Sequence, residues 1–369
     1  MAVSRVFREE RVSRRLAGDA LFVSLTAVHA AILVAAPSAP VIALGMWWNA
    51  NTISHNFIHR PFFQSRGANS AFALWLSLLL GFPQAEWRDR HLRHHAGVER
   101  FVRPSRASAF QALAIVAVFA AIAVMAPRFF LLTWLPGWAA GLGLCWLQGH
   151  YEHERGTTSH YGRLYNFFFF NDGYHVEHHE KPGVYWLDLP AERSDGARRS
   201  AWPAVLRWID DARAWGLDGL EALVLRSARL QHFVISRHVA AVRRLLPDPV
   251  AIHRITVVGG GLFPRTALVV RNLFPDAEIA IVDADAAHLE TARRFLPESV
   301  SVRHARFEGE RIAGADLVVI PLAFVGDRAS LYADPPAPRV LVHEWIWAAR
   351  PSSVVISWLL LKRLTLVTR

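Results

Sequence analysis

A chain of 369 residues, 53% hydrophobic and with a mean hydropathy of +0.20, is long enough for two domains with cores of their own and too apolar for an ordinary soluble enzyme. Its formal charge of +10 comes from arginine, since Lys181 and Lys362 are the only lysines, and the arginines are scattered without an aromatic-interleaved patch, so nucleic acid is excluded as a partner. The lone Cys145 sits in an apolar run and excludes both a disulfide framework and a thiolate metal cluster.

Nearly all long apolar runs precede residue 150. Segments 17–36 and 39–54 flank the tight loop 36-APSAP-40, and segments 108–126 and 129–149 flank 126-APR-128. A span takes roughly 20 helical residues at about 1.5 Å each, so the second segment crosses only by using its semipolar end. Four transmembrane helices in two hairpins result, with every hairpin end on one side. Arginines at 60, 66, 88, 90, 93 and within 100–106 mark that side as cytoplasmic, against the single contrary charge of Arg128. Between the hairpins, 70-SAFALWLSLLLGF-82 is apolar but short and runs into Pro83, which predicts an interfacial or re-entrant helix.

The character changes near residue 190. The predicted architecture is an α-helical membrane domain over 1–190, a helical linker region over 191–250 closed by Pro247 and Pro249, and an α/β Rossmann-like soluble domain over 251–369. In the last, 254-RITVV-258 and the runs 278–285, 316–323 and 339–345 read as strands alternating with helices, hence a mostly parallel sheet, with 353–369 as edge strands closing it. The protein is expected to be an integral inner (cytoplasmic) membrane protein, with its metal site and its C-terminal domain on the cytoplasmic side.

Three histidine groups stand out: 55-HNFIH-59, 91-HLRHH-95 and 175-HVEHH-179. The i,i+4 and i,i+3,i+4 spacings place each group on one helix face. All fall at cytoplasmic ends of the predicted crossings. A fourth source, 149-GHYEHERG-156, offers His150 or His153 at the end of the last crossing. So many protonated imidazoles at one depth would repel, which points to neutral, metal-bound rings. The count exceeds what one tetrahedral zinc uses and suits two octahedral-capable metals, and iron is preferred if the site handles dioxygen. Glu152, Glu177, Asn171 and Asp172 lie where carboxylate or amide partners would orient the rings, with Asn171 alternatively reaching a metal through water.

This pattern resembles the membrane fatty acid desaturase family, within the wider group that includes alkane hydroxylases and carotenoid hydroxylases or ketolases, so a hydroxylase or ketolase of an alkyl or carotenoid substrate is the alternative. The resemblance covers about residues 17–190. It implies a non-haem di-iron centre held by His55, His59, His91, His94, His95, His175, His178 and His179, with His153 as the extra histidine between the second and third groups. It further implies two iron ions as cofactors, dioxygen as oxidant, a lipid or other long apolar substrate, and desaturation or hydroxylation of an unactivated C–H bond. No cytochrome b5-like haem segment accompanies the histidines, so electrons are expected from a separate ferredoxin- or cytochrome-like protein.

In the C-terminal domain, 258-VGGGLFPRTA-267 follows a strand and opens a helix. Pro264 stands where the dinucleotide fingerprint has its third glycine, which disfavours a hydride-transferring domain. With Gly259, Gly261 and Asp283, the segment resembles class I S-adenosylmethionine-dependent methyltransferases. That likeness implies S-adenosylmethionine as a further cofactor, the glycines near its amino acid portion and Asp283 on the ribose, with Asp285 competing for that role. A lipid-directed methyltransferase anchored by the histidine domain, a weakly catalytic ligand-binding domain, and an ordinary α/β domain with a tight turn remain open alternatives.

Overall fold

The computed structural model describes residues 2–98, 103–154, 156–194, 196–247, 252–324, 326, 328–348, 350–358 and 360–369, with side chains from residue 12 onward. Arg100 and Pro249, used above as charge and boundary markers, lie outside the described residues. The chain divides into two compact units, Met1–Arg207 and Trp208–Arg369. The polar stretch from 191 to 207 therefore belongs to the first unit, and the amphipathic helices after it belong to the second.

In the first unit, α1 (Ala2–Ala35) turns at Pro37 into α2 (Ala39–Asn49), where the Ser38 side chain accepts from Val41 N and caps the new helix. A wide π-helical turn, Ala50–Ser54, continues α2 into α3 (His55–His59). Such a turn loosens the backbone ladder, and short polar side chains restore it. Asn51 Nδ2, Thr52 Oγ1 and Asn56 Nδ2 each donate to the carbonyl four residues back, at 2.8, 2.6 and 2.8 Å. The turn sits immediately before His55 and sets the face from which the first histidine pair projects.

Next come α4 (Arg66–Leu80) and α5 (Gln84–His95). Ser65 caps α4 at Ala68 N, and Gly81 ends it at φ 73°, a left-handed conformation that favours glycine. Its 15 residues span about 22 Å, short of the hydrocarbon thickness, as the sequence indicates. The second hairpin comprises α6 (Arg106–Met125), the single turn α7 (Pro127–Phe129), a π-helical turn at Phe130–Trp134, and α8 (Leu135–His153). Short helices α9 (Arg163–Phe168) and α10 (His175–Glu180) follow.

Among the described residues, three helices are long and apolar enough to cross a membrane: Val12–Ala35, Arg106–Met125 and Pro127–His153. The expected fourth crossing, the rod from α2 to α3, is not among them. Asn49, Asn51, Thr52 and Ser54 followed by two histidines lower its hydropathy. Its partner is α8, and the approach is close because Gly137 and Gly141 lie one turn apart on the facing stripe. A Cβ on Gly137 would fall 2.8 Å from the Ala39 carbonyl oxygen, and one on Gly141 would fall 2.7 Å from Met46 Sδ. Phe22, Ile53, Phe57, Phe72 and Leu76 form a buried cluster against which Phe170 and Trp186 pack.

The second unit begins with α11 (Trp208–Leu225) and α12 (Ala228–Leu245). Its sheet then builds through β1 (Arg254–Val258), α13 (Arg265–Leu273), β2 (Glu278–Asp283), α14 (Ala286–Arg293), β3 (Val300–His304), β4 (Leu317–Ile320), α15 (Arg328–Ala333), β5 (Arg339–Trp345), β6 (Ser353–Ser357) and β7 (Lys362–Thr368). The strand order is β3-β2-β1-β4-β5-β7-β6. Strands β3 to β5 are mutually parallel, whereas β7 runs antiparallel to both β5 and β6. The sequence reading of 353–369 as edge strands holds only for β6. The hairpin after Ser357 folds β7 back into the sheet, where it pairs with β5 from Arg339↔Thr368 to Trp345↔Lys362. All four residues of β4 are buried, which explains their continuous apolar run.

Candidate metal centre

The ends of α3, α5 and α8 meet α10, and the nine histidines singled out from the sequence converge there. His91 Nε2 lies 3.0 Å from His55 Nε2, 2.8 Å from His59 Nε2 and 3.0 Å from His95 Nε2. His55 Nε2 is 3.1 Å from His178 Nε2. The donor atoms of these five residues all lie within 4.8 Å of one another. Beside them, His94 Nε2 is 3.0 Å from His153 Nε2, which is 3.1 Å from His175 Nε2. Two further donor groups, His94/His153/His179 and Glu152/His153/His175, share His153. Glu152 Oε2 stands 3.6 Å from His175 Nε2.

These contacts fit metal ions better than hydrogen bonds. A ring nitrogen carries either one proton or one lone pair in the ring plane and satisfies one partner, yet His91 Nε2 faces three other Nε2 atoms. His179 Nε2 is buried without a hydrogen-bond partner among the described residues. Burial, reinforced by the neighbouring imidazoles, holds His175, His178 and His91 far on the neutral side and lowers His95 to about 4 and His179 to about 3. Neutral rings present lone pairs, and converging nitrogen lone pairs with one carboxylate are a donor set for iron or other imidazole-binding metals. His94 alone among the nine is exposed, so one flank of the site is open.

Around the rings lies a polar network that the sequence shows only in part. Gln148 Oε1 accepts from Trp47 Nε1 at 2.7 Å, while its Nε2 donates to Glu152 Oε1 and Asp172 Oδ2, both at 2.9 Å. Tyr165 donates its hydroxyl to Asp172 Oδ2 at 2.7 Å, and Asp172 Oδ1 is 3.6 Å from His55 Nδ1. Asp172 is thus placed as an outer carboxylate for His55. Gln148 and Tyr165 are absent from the sequence reading. A glutamine four residues before Glu152, one helical turn away in an otherwise apolar span, is the signal that would have found the first.

Two anticipated partners point elsewhere. Glu177 is buried but accepts from Ser159 Oγ at 2.8 Å, Tyr161 Oη at 2.5 Å and Ser194 N at 3.1 Å. On α10 the histidines at 175, 178 and 179 occupy one face, which leaves position 177 on the other. Asn171 adopts φ 62° in the turn before α10 and donates Nδ2 to the Trp186 carbonyl at 2.9 Å. Both residues fix the loop geometry and touch no imidazole. His150 stacks on Trp146 and His160 Nδ1 faces the Ser200 carbonyl, so neither joins the donor set. Of the phenylalanine run 167–170, Phe167 and Phe168 are exposed, whereas Phe169 packs on Trp47 and Phe170 on Phe22.

In the second unit, Gly259 and Gly261 form the turn after β1 at φ 74° and 63°. Asp283 Oδ2 accepts from Gly260 N at 2.6 Å and Gly261 N at 3.2 Å, and its Oδ1 accepts from Asp285 N at 2.9 Å. Three of the roughly four acceptor positions of a carboxylate are therefore taken by backbone. Glu221 Oε2, from α11, accepts from Leu262 N at 2.8 Å and would lie 2.4 Å from a Cβ on Gly261. The turn's amides are thus met by Asp283 and Glu221, while Asp283 keeps about one acceptor position and the Asp285 side chain is exposed.

Comparison with known proteins gives a match to the family model described as fatty acid desaturase, over residues 30–107 and 98–204. No curated protein matches the chain. Among solved structures, the chain is similar to the plantazolicin methyltransferase BpumL in complex with SAH and a desmethyl analogue, at 14% identity and TM-score 0.29, covering 38% of this chain and 55% of that one. It is also similar to a mutant of MtNAS in complex with S-adenosylmethionine, at 14% identity and TM-score 0.33, covering 45% and 77%. A third is an S-adenosylmethionine-dependent methyltransferase from Aquifex aeolicus, at 11% identity and TM-score 0.24, covering 30% and 66%. The chain thus spans about half the length of the first of these. Histidine groups, helices long enough to cross a membrane and the match to the fatty acid desaturase family model all fall before residue 205, in the N-terminal region of this chain.

Proposed function

We propose that the first unit is a membrane di-iron oxidoreductase that uses dioxygen to desaturate a fatty acyl or related lipid chain. The observation that supports this reading is the gathering of the donor atoms into one group of five histidines and, beside it, two smaller groups that share His153. His55, His59, His91, His95 and His178 would hold one iron, and His94, His153, His175 and His179 with Glu152 would hold the other. When bound, the iron pair supplies the redox capacity to use dioxygen against an unactivated C–H bond. The chain's own contribution is to keep His91, His95, His175, His178 and His179 neutral by burial, to orient His55 through Asp172, and to lock α10 through Glu177. Asn171 and Glu177 act as positioning residues.

The arginines flanking the histidine-bearing ends support an inner-membrane protein whose metal site and second unit face the cytoplasm. There a separate ferredoxin- or cytochrome-like donor would deliver electrons. An apolar chain can pass sideways from lipid to a site at this depth without dissolving in water, and fixing one carbon near the metals selects the bond that reacts.

The test is lipid profiling of aerated cells expressing wild type or the His178→Ala variant. Wild type yields acyl chains that have lost two hydrogens, and the variant yields none. Chains that instead gain an oxygen atom would transfer the same site to hydroxylation, and lipids unchanged by wild type under oxygen would contradict both.

A further inference from the structure

Helix α11 packs with its charges turned inward. Asp210 is buried and pairs with Arg213 at 2.9 Å, Asp218 Oδ2 lies 3.6 Å from His288 Nε2, and Glu221 Oε2 accepts from Leu262 N at 2.8 Å. Leu262 follows the glycine turn after β1 and His288 lies on α14 after β2, so these contacts hold the helix across the carboxyl ends of β1 and β2. The opposite face is apolar. Trp208, Ala212, Trp215, Gly219, Leu220 and Leu223 are exposed at helical spacing, and no exposed residue of the helix is charged. Trp215 is 81% exposed and Leu223 55%. A helix on the surface of a water-soluble domain shows the reverse arrangement, so this stripe calls for something to cover it.

Further exposed aromatic surface lies along the same edge of the sheet. Because β7 is antiparallel to both β5 and β6, those two strands point the same way, and Trp347, just past β5, and Trp358, just past β6, emerge at the carboxyl ends of the parallel strands. Both are exposed. The helix that follows α11 is basic. From Ala222 to Leu245 the sequence contains no aspartate or glutamate, and Arg226, Arg229 and Arg237 are exposed there. Arg237 lies beside Leu360 of the hairpin that carries Trp358. Asp285, an exposed acid at the end of β2, is engaged by the amides of Ala287 and His288. An apolar stripe bearing tryptophans and bordered by arginines matches a bilayer with anionic headgroups, in which indole rings settle at headgroup depth and guanidinium groups meet phosphates.

We propose that this edge of the second unit, α11 together with Trp347 and Trp358, lies on the surface of an anionic lipid bilayer. The stripe of α11 dips into the headgroup region, and Arg226, Arg229 and Arg237 pair with lipid phosphates. The proposal rests on the membrane reading of the first unit, from which the chain continues directly into Trp208. It accounts for an inverted helix whose polar residues are spent on the glycine turn and on His288.

The test uses full-length protein in a Cys145→Ser background, with a fluorophore on one introduced cysteine, reconstituted in vesicles of phosphatidylcholine and phosphatidylglycerol. Leu220→Cys probes the stripe, and Ser299→Cys, exposed beside the amino end of β3, is the control. A nitroxide carried on the lipid should quench the probe at 220 several-fold more than the probe at 299, and a water-soluble nitroxide should do the opposite. Arg229→Gln with Arg237→Gln should weaken the lipid quenching at 220, and no change would overturn the role given to the arginines. Equal quenching from water at the two positions, or shielding of position 220 from both nitroxides as a covering protein face would give, would overturn the proposal. Resistance of the same chain to extraction by alkaline carbonate reports the membrane reading of the first unit separately, so the two failures are distinguishable.

Discussion

His150 and His153 lie three residues apart on one helix, yet only His153 reaches the donor set, because His150 stacks against Trp146 at 5.2 Å and an 8° interplanar angle. Spacing assigns a face of a helix, and packing decides which member of that face turns inward. Asp172 illustrates the reverse, since its effect is visible only through the ring it orients. Asp172→Asn keeps the shape but weakens the partner of His55 Nδ1, and metal affinity should fall roughly 10–100-fold, measured by chelator competition. An unchanged affinity would detach Asp172 from the site. Glu177 and Asn171 stand next to the third histidine group in sequence and away from it in space, for reasons of helical phase and turn geometry that local sequence does not display.

At the scale of elements, helix packing positions the histidines. The α2–α8 contact depends on glycine, and the two glycines of α8 that face α2 differ from Gly143, around which a Cβ meets nothing within 4 Å. Gly137→Ala should cost about 1–3 kcal/mol by overpacking against the Ala39 carbonyl, seen as a lowered melting temperature of the detergent-solubilised protein. Gly143→Ala should leave it unchanged, and equal effects from both substitutions would show that close approach is not what these glycines provide. The shortness of α4 and the helical spacing of all three histidine groups are legible in the sequence, because hydropathy and a 3.6-residue period report them directly. The π-helical turn before His55 and the return of β7 into the sheet are not, since both depend on tertiary hydrogen bonding.

For the whole molecule, the change of character along the chain marks a membrane part followed by an α/β part, and the structure divides at 207/208. The donor set was legible because metal chemistry demands residue types at fixed spacings. The outer network was not, because Gln148 and Tyr165 are ordinary residues until the fold brings them to Asp172. The account turns on two metals held by separate histidine sets. Iron per chain, measured by plasma mass spectrometry on purified wild type and on His59→Ala and His175→Ala, tests it most directly. About two irons in wild type and about one in each variant are predicted, since each substitution removes a ligand from a different set. A single metal in wild type, or iron content unchanged in both variants, would contradict it.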